Sequence, residues 1–197
     1  FLPAALVLPK AYCIEINSKD AGRLFVNLFL DSEAVWEEKS VSLSQKNRES
    51  GGKWETEIRF SGQGNFELLV RIPSWCEGKP FVMVNGREEK AGKKRGYLSL
   101  KRRWKTGDRV KVVFGCGLRL ERAPDDSGKA SVCFGPYVLA ALTDSKDFLR
   151  LDIKKGPLSE LLKREEGGIR FLLRGQNTEF IPLCRVDRQA FQVYVQV

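Results

Sequence analysis

The sequence predicts an all-β protein: an antiparallel β-sandwich, jelly-roll-like, with a small C-terminal β-rich extension and one short helix. Three observations carry that expectation. Apolar residues recur with period two rather than 3.6. Turn signals interrupt the pattern about every 8–12 residues, as in sandwiches and barrels. The 197 residues are 42% hydrophobic and 30% charged, enough to bury a core and too apolar for disorder.

The elements follow in order. LFVNLFL (24–30) is bulky and apolar, fit for a strand buried on most sides. WETEIRF (54–60) alternates strictly, with Trp54, Thr56, Ile58 and Phe60 on one face and Glu55, Glu57 and Arg59 on the other. SGQG (61–64) supplies a turn, and FELLVRI (66–72) continues with Phe66, Leu68, Val70 and Ile72 inward and Glu67 in water. After FVMV (81–84), Asn85-Gly86 suits a type I′ turn. YLSL (97–100), a turn at 105–108, and RVKVVF (109–114) follow. Together these strands predict a core of Trp54, Ile58, Phe60, Phe66, Leu68, Val70, Ile72, Val82, Val84, Leu98, Leu100, Val110 and Val112. ASVCF (130–134) and YVLAAL (137–142) flank Gly135-Pro136, a break between two strands or a kink in one. Pro157 to Arg164, with Leu158, Leu161 and Leu162 on one side and Gly167-Gly168 beyond, predicts the helix. Strands resume at 169–173, 178–183 and 191–195.

Composition narrows the chemistry. There is no histidine, which removes Ser-His-Asp triads, histidine bases and every zinc site that needs imidazole. No run of about 18 apolar residues offers a membrane helix. The cysteines, Cys13, Cys76, Cys116, Cys133 and Cys184, are odd in number, far apart and without a CxxC pair, so they read as small hydrophobes rather than disulfides or metal ligands. That usage favours a reducing compartment over export. The adjacent acidic pairs, such as Glu37-Glu38 and Asp125-Asp126, would point to opposite faces of a strand, so none is a glycosidase pair across a bond.

The net charge is +9, concentrated between Arg87 and Lys111, with Tyr97 and Trp104 interleaved. A nucleic acid or polyanionic glycan could use cations and rings together. Solvated hairpin loops and lysine-guarded edge strands account for the same pattern more simply, so nucleic acid is disfavoured. Exposed tryptophan on a sandwich can also stack on sugar. Trp75, at the end of a strand, and Trp104, at the start of a turn, are the candidates to rim a carbohydrate site.

Taken in order, LFVNLFLDSEAVW (24–36), VSLSQ (41–45), FELLVRIPSWCEG (66–78), VNG (84–86), GYLSLKRRWKTGD (96–108), GKASVCFGPYVLAA (128–141) and FIPLCRVDRQAFQVYV (180–195) resemble one family. It is the C-terminal β-sandwich region of the beta-L-arabinofuranosidase-like glycoside hydrolases, family 127. The resemblance covers about residues 12–195, and RIPSW followed by GPYVLA is its most specific part. Leu183 and Cys184 stand where the family commonly has aromatics, and Lys46-Asn47 replaces a threonine after Gln45. The resemblance implies a preceding helical barrel that carries the catalytic centre. There, zinc held by cysteines and a glutamate activates a thiolate nucleophile, and another glutamate is the acid/base. The family's adjacent cysteine pair has no counterpart among these five cysteines, so no catalytic residue, metal ligand or cofactor is assigned to this segment.

The expected organisation is therefore the tail of the barrel over 1–9, the main sandwich over 10–145, and a β-rich extension over 146–197 packing on or completing it. The expected role is a non-catalytic domain that buttresses the barrel and rims its cleft. An independent carbohydrate-binding module is the alternative, and a basic nucleic-acid-binding barrel a weaker one. The apolar segment 1–9 predicts that the isolated chain dimerises or folds that segment back.

Overall fold

The computed structural model describes residues 12–17, 21–166 and 168–197, with side chains described from Gly22 onward. The expected barrel tail, 1–9, and the Cys13 side chain lie outside the described residues. The chain divides into two compact units. One comprises residues up to Glu49, Trp54–Ser74 and Gly78–Phe114; the other comprises Ser50–Lys53, Trp75–Glu77 and Gly115–Val197.

Among the described residues, the first unit is a sandwich built from all or most of β1 (Tyr12–Asn17), β2 (Ala21–Val26), β3 (Ser32–Trp36), β4 (Val41–Ser50), β5 (Lys53–Ser61), β6 (Gly64–Arg71), β7 (Cys76–Val84), β8 (Arg87–Glu88), β9 (Gly92–Lys94), β10 (Tyr97–Trp104) and β11 (Arg109–Cys116). One sheet has the order β1-β2-β6-β10-β9, the other β3-β4-β5-β11-β7-β8. The two meet through ring contacts: Trp36 and Phe66 lie 5.5 Å apart, Phe60 and Phe66 5.8 Å, and Phe60 and Trp104 4.7 Å. β2 and β6 depart from the antiparallel expectation and pair in parallel, Leu24 opposite Leu68.

Alternation places the core as expected, since one buried face fixes the phase of every strand. Eleven of the thirteen predicted core residues are buried; Trp54 and Ile72, at strand ends, are half-buried. The Asn85-Gly86 turn has φ of 52° and 80°, the paired positive values a type I′ turn requires. At Gly62, φ is 91° and an added Cβ would collide with the Ser40 carbonyl oxygen, so both backbone and space demand glycine. Thr106 Oγ1 accepts from the Gly62 amide at 2.8 Å, tying two turns together.

The second unit holds β12 (Leu118–Arg122), β13 (Lys129–Phe134), β14 (Tyr137–Leu142), helix α1 (Leu158–Leu161), β15 (Leu162–Arg164), β16 (Phe171–Leu173), β17 (Glu179–Pro182), β18 (Phe191–Gln192) and β19 (Tyr194–Gln196). They form one sheet, β12-β13-β14-β17-β16-β15, with β18 on β14 and β19 on β13. Gly135-Pro136 separates two strands of a hairpin, Phe134 opposite Tyr137. The core gathers Val132, Phe134, Leu139, Ala141, Leu162, Phe171 and Phe180, all buried.

The compact units divide at 114/115, and β13 and β14 pair with the late strands β19, β17 and β18 in one sheet. The helix expected over Pro157–Arg164 stops at Leu161; a single turn is a costly nucleus, and Leu162–Arg164 instead pairs with Phe171–Leu173, burying Leu162.

Candidate functional site

In the first unit, the apolar run 24–30 leaves its sheet after Val26. Side chains pin the departing segment at successive points. Tyr97 Oη donates to Asn27 Oδ1 at 2.8 Å, and Gln45 Nε2 donates to the Leu28 carbonyl at 3.0 Å. Ser32 Oγ donates to the Leu30 carbonyl at 2.8 Å. Asp31 accepts from the Asn47 amide at 2.8 Å and from Lys46 Nζ at 3.2 Å. Phe29 packs on Phe114, ring centroids 4.9 Å apart. Leu30 is left at the tip, 57% exposed.

The clamp is anchored inside. Gln45 follows Val41 and Leu43 in the inward phase of β4 and is fully buried, as is Thr56 on β5. Thr56 Oγ1 donates to Asn47 Oδ1 at 2.8 Å, and Gln45 Nε2 reaches the same oxygen at 3.3 Å. Buried polar groups persist where they are hydrogen-bonded, and here their partners hold one loop in one conformation.

Beside the clamp is a groove of about 260 Å³ lined by Lys46, Asn47, Arg48, Glu55, Glu57 and Lys111. Glu55 meets Lys111 Nζ at 2.9 Å and Arg48 Nη2 at 2.8 Å. The hydrogen bond from Lys111, then that from Arg48, holds the Glu55 carboxyl below the usual carboxylate range against its partial burial. Glu55 and Glu57 share a face of β5, but a general acid needs a carboxyl held protonated, and Glu55 is held ionised. The groove can accept hydroxyl groups and ions; it is not arranged for proton donation.

On the same unit, Glu67 accepts from Ser99 Oγ at 2.6 Å and from Arg23 Nε at 3.1 Å, with Lys94 Nζ at 3.6 Å. The serine bond leads in lowering its pKa, followed by the Lys94 and Arg23 charges. Its side chain is only 15% exposed. The sequence placed Glu67 on a wet face, yet neighbouring strands enclose it in a polar cluster.

The two rim candidates separate. Trp104 is fully buried, with Nε1 donating to the Phe66 carbonyl at 3.2 Å and Arg102 5.3 Å from its ring centroid. It cannot offer a face to a sugar; in sequence it stands at the start of a turn because Lys105-Thr106-Gly107-Asp108 follows it. Trp75 is half-buried in the short connection between β6 and β7. The basic stretch from Arg87 to Lys111 is mostly solvated, but its aromatics are engaged elsewhere, Trp104 in the core and Tyr97 on Asn27. That leaves a nucleic acid no stacking platform within it.

In the second unit, a cavity of about 480 Å³ is lined by Glu77, Cys116, Leu118, Leu158, Arg164 and Phe171, among others. The Arg164 guanidinium lies 4.9 Å from the Phe134 ring centroid and donates to the Gly168 carbonyl at 3.3 Å. Burial leads in raising the Cys133 and Cys76 thiols, so neither is poised as a thiolate. Among the described residues, no group of three or more His, Cys, Asp or Glu side chains is placed to hold a metal ion. Nor is any helix among them long and apolar enough to cross a membrane.

Comparison with known proteins adds the following. Residues 23–116 match the family model described as beta-L-arabinofuranosidase, GH127 middle domain. That match ends within two residues of the division between the units. No curated protein matches. Among solved structures, a GH127 beta-L-arabinofuranosidase from Geobacillus stearothermophilus T6 is 23% identical, with TM-score 0.58, covering 94% of this chain and 34% of its own. A GH127 beta-arabinofuranosidase, BT3674, is 24% identical, with TM-score 0.59, covering 89% of this chain and 35% of its own. These likenesses show the fold, and this chain spans about a third of the length of either protein.

Proposed function

We propose that the chain, whose residues 23–116 match the GH127 middle-domain model, is a non-catalytic β-sandwich segment of a beta-L-arabinofuranosidase-like glycoside hydrolase. The family match carries this reading. The electrostatics agree with it. Among the described residues, the carboxyls of Asp31, Glu55, Glu67 and Asp126 are held low, and the thiols of Cys76 and Cys133 are pushed up. A retaining glycosidase needs a carboxyl kept protonated as general acid, and none of these four is held so.

The partner of this segment is the catalytic barrel of the same polypeptide, which it buttresses. When the chain is isolated, self-association takes the barrel's place. The clamped 27–31 segment, rigid and with Leu30 exposed, is the part of the first unit suited to pack on that barrel or rim its cleft. Zinc, which the resemblance implies for the barrel, has no fitting ligand set among the described residues, and no step here runs through it.

The test is an assay of the purified chain on 4-nitrophenyl beta-L-arabinofuranoside, with and without added zinc. The expected result is no release of nitrophenol above a heat-denatured control. Sustained turnover by the chain alone overturns the non-catalytic reading.

A further inference from the structure

On the second unit, the pairing registers bring three exposed aromatic rings to one face of the sheet. Residues opposite each other across a ladder share a face, as do residues two apart along a strand. Tyr194 lies opposite Ser131, Cys133 opposite Val138, and Phe191 opposite Leu142. Ser131 and Cys133 are two apart on β13; Val138, Ala140 and Leu142 are two apart on β14. That succession carries one face from Tyr194 to Phe191. The two are three apart in sequence and would alternate on a regular strand. Val193 is a bend between β18 and β19, which take different partners, so the alternation of a single strand does not apply across it.

Phe148 joins this face through Lys129, which lies opposite Gln196 and two residues before Ser131. Lys129 Nζ is 4.4 Å from the Phe148 ring centroid. Phe148, Phe191 and Tyr194 are 48%, 44% and 43% exposed.

Polar groups flank the rings, while Ser131, Cys133 and Ala140 between Tyr194 and Phe191 are buried. Glu121 lies opposite Ser131 and Arg119 opposite Cys133, so both share the face, and their side chains pair at 2.6 Å. Ile181, opposite Ala140, continues the face into a cavity of about 450 Å³ also lined by Arg170, Arg185 and Gln189, the last two residues short of Phe191.

Separated rings flanked by planar hydrogen-bonding groups match the two surfaces of a sugar. Its C–H face stacks on an aromatic ring, and its hydroxyls accept from guanidinium and amide N–H groups and donate to carboxylate. The core of a protein-docking patch is depleted in charge, and this face is not. The unit carries 14 Lys and Arg against 12 Asp and Glu, a near balance that suits a neutral ligand rather than a polyanion. We propose that the face bearing Phe148, Tyr194 and Phe191 binds a neutral oligosaccharide. The inference rests on rings and registers alone, so it stands or falls separately from the glycosidase reading.

The test is affinity electrophoresis of the full chain in gels containing soluble arabinan, soluble xylan or neither. The variants are Phe191→Leu and Tyr194→Leu, singly and together, which remove the rings but keep apolar volume. Phe81→Leu, an exposed ring of the first unit, is the control. Far-UV circular dichroism melts verify folding. The expected result is retardation of the wild type by at least one polysaccharide, a tenfold or greater loss of affinity in the double variant, and none in Phe81→Leu. Retardation by neither polysaccharide, or equal retardation of the folded double variant, overturns the proposal. So does loss of self-association in the double variant without any retardation of the wild type, which assigns the face to protein contact. If the double variant unfolds, saturation-transfer NMR on the wild type decides: contact from sugar to the Phe or Tyr ring protons supports the site, and its absence overturns it.

Discussion

Replacing Trp104 tests whether the structure rightly moves that residue from rim to core. Its side chain is fully buried, with ring centroids 4.7 Å from Phe60 and 5.9 Å from Phe66. Truncating a buried Trp or Phe to alanine costs about 3–5 kcal/mol, and more where the site cannot collapse. Trp104→Ala also strips the donor from the Phe66 carbonyl, which receives the indole N–H at 3.2 Å. Losing that hydrogen bond adds about 0.5–1.5 kcal/mol. The combined loss, about 4 kcal/mol or more, is a large fraction of the roughly 5–15 kcal/mol that stabilises a domain. With a urea m value of about 2 kcal/mol/M, the midpoint should fall by about 2 M. Trp104→Phe keeps a stacked ring and loses mainly the hydrogen bond, so its midpoint should fall by about half as much or less. Urea titrations followed by far-UV circular dichroism give both numbers without depending on indole emission. A Trp104→Ala midpoint within about 0.3 M of wild type would refute the core assignment, because only a solvent-facing ring can be removed that cheaply.

Other positions give independent checks. Glu67 has a lowered folded pKa, so its contribution is fully present above the unfolded value of about 4.3 and is lost as pH falls through the folded value. The melting-temperature gap between wild type and Glu67→Gln should therefore be widest near neutrality and close on acidification; a gap constant from pH 7 to pH 3 contradicts the cluster around it. Gln45→Leu keeps volume but leaves the Leu28 carbonyl without its donor, which should cost about 1–3 kcal/mol and speed amide exchange across 27–31; unchanged exchange there would show that Gln45 does not hold the segment. Gly62→Ala meets both a positive φ and the Ser40 carbonyl oxygen, so a loss of about 1–3 kcal/mol is expected in chemical denaturation, and a neutral result would deny the close approach. Among the described cysteines, exposed Cys184 should react first with Ellman's reagent and buried Cys133 only on unfolding; peptide mapping of the modified chain reports the order.

The period-two pattern, by itself, determined the fold class and most of the first core. A strand with one dry face admits a single phase, so Ile58, Phe66, Leu68, Val70, Val110 and Val112 could be assigned inward from alternation alone. Asn85-Gly86 and Gly135-Pro136 marked their turns because few residues tolerate positive φ. Gln45 was also visible, as a polar residue in the dry phase after Val41 and Leu43, but its partner, the Leu28 carbonyl, lies on another segment and leaves no local mark. What only the tertiary structure decided is which strands from distant parts of the chain become neighbours. The parallel pairing of β2 with β6, the joining of β12 to β14 with the late strands, and the conversion of half the expected helix into β15 are all such choices. So are the burial of Trp104 and the enclosure of Glu67 by Arg23, Lys94 and Ser99. So is the face shared by Phe191 and Tyr194, whose spacing of three predicts opposite sides until the ladders on β14 and β13 are known. The physical reason is common to all of them: periodicity reports how a residue is oriented on its own strand, whereas burial and charge pairing depend on what the next strand brings, and strand order is settled by the packing of the whole sheet.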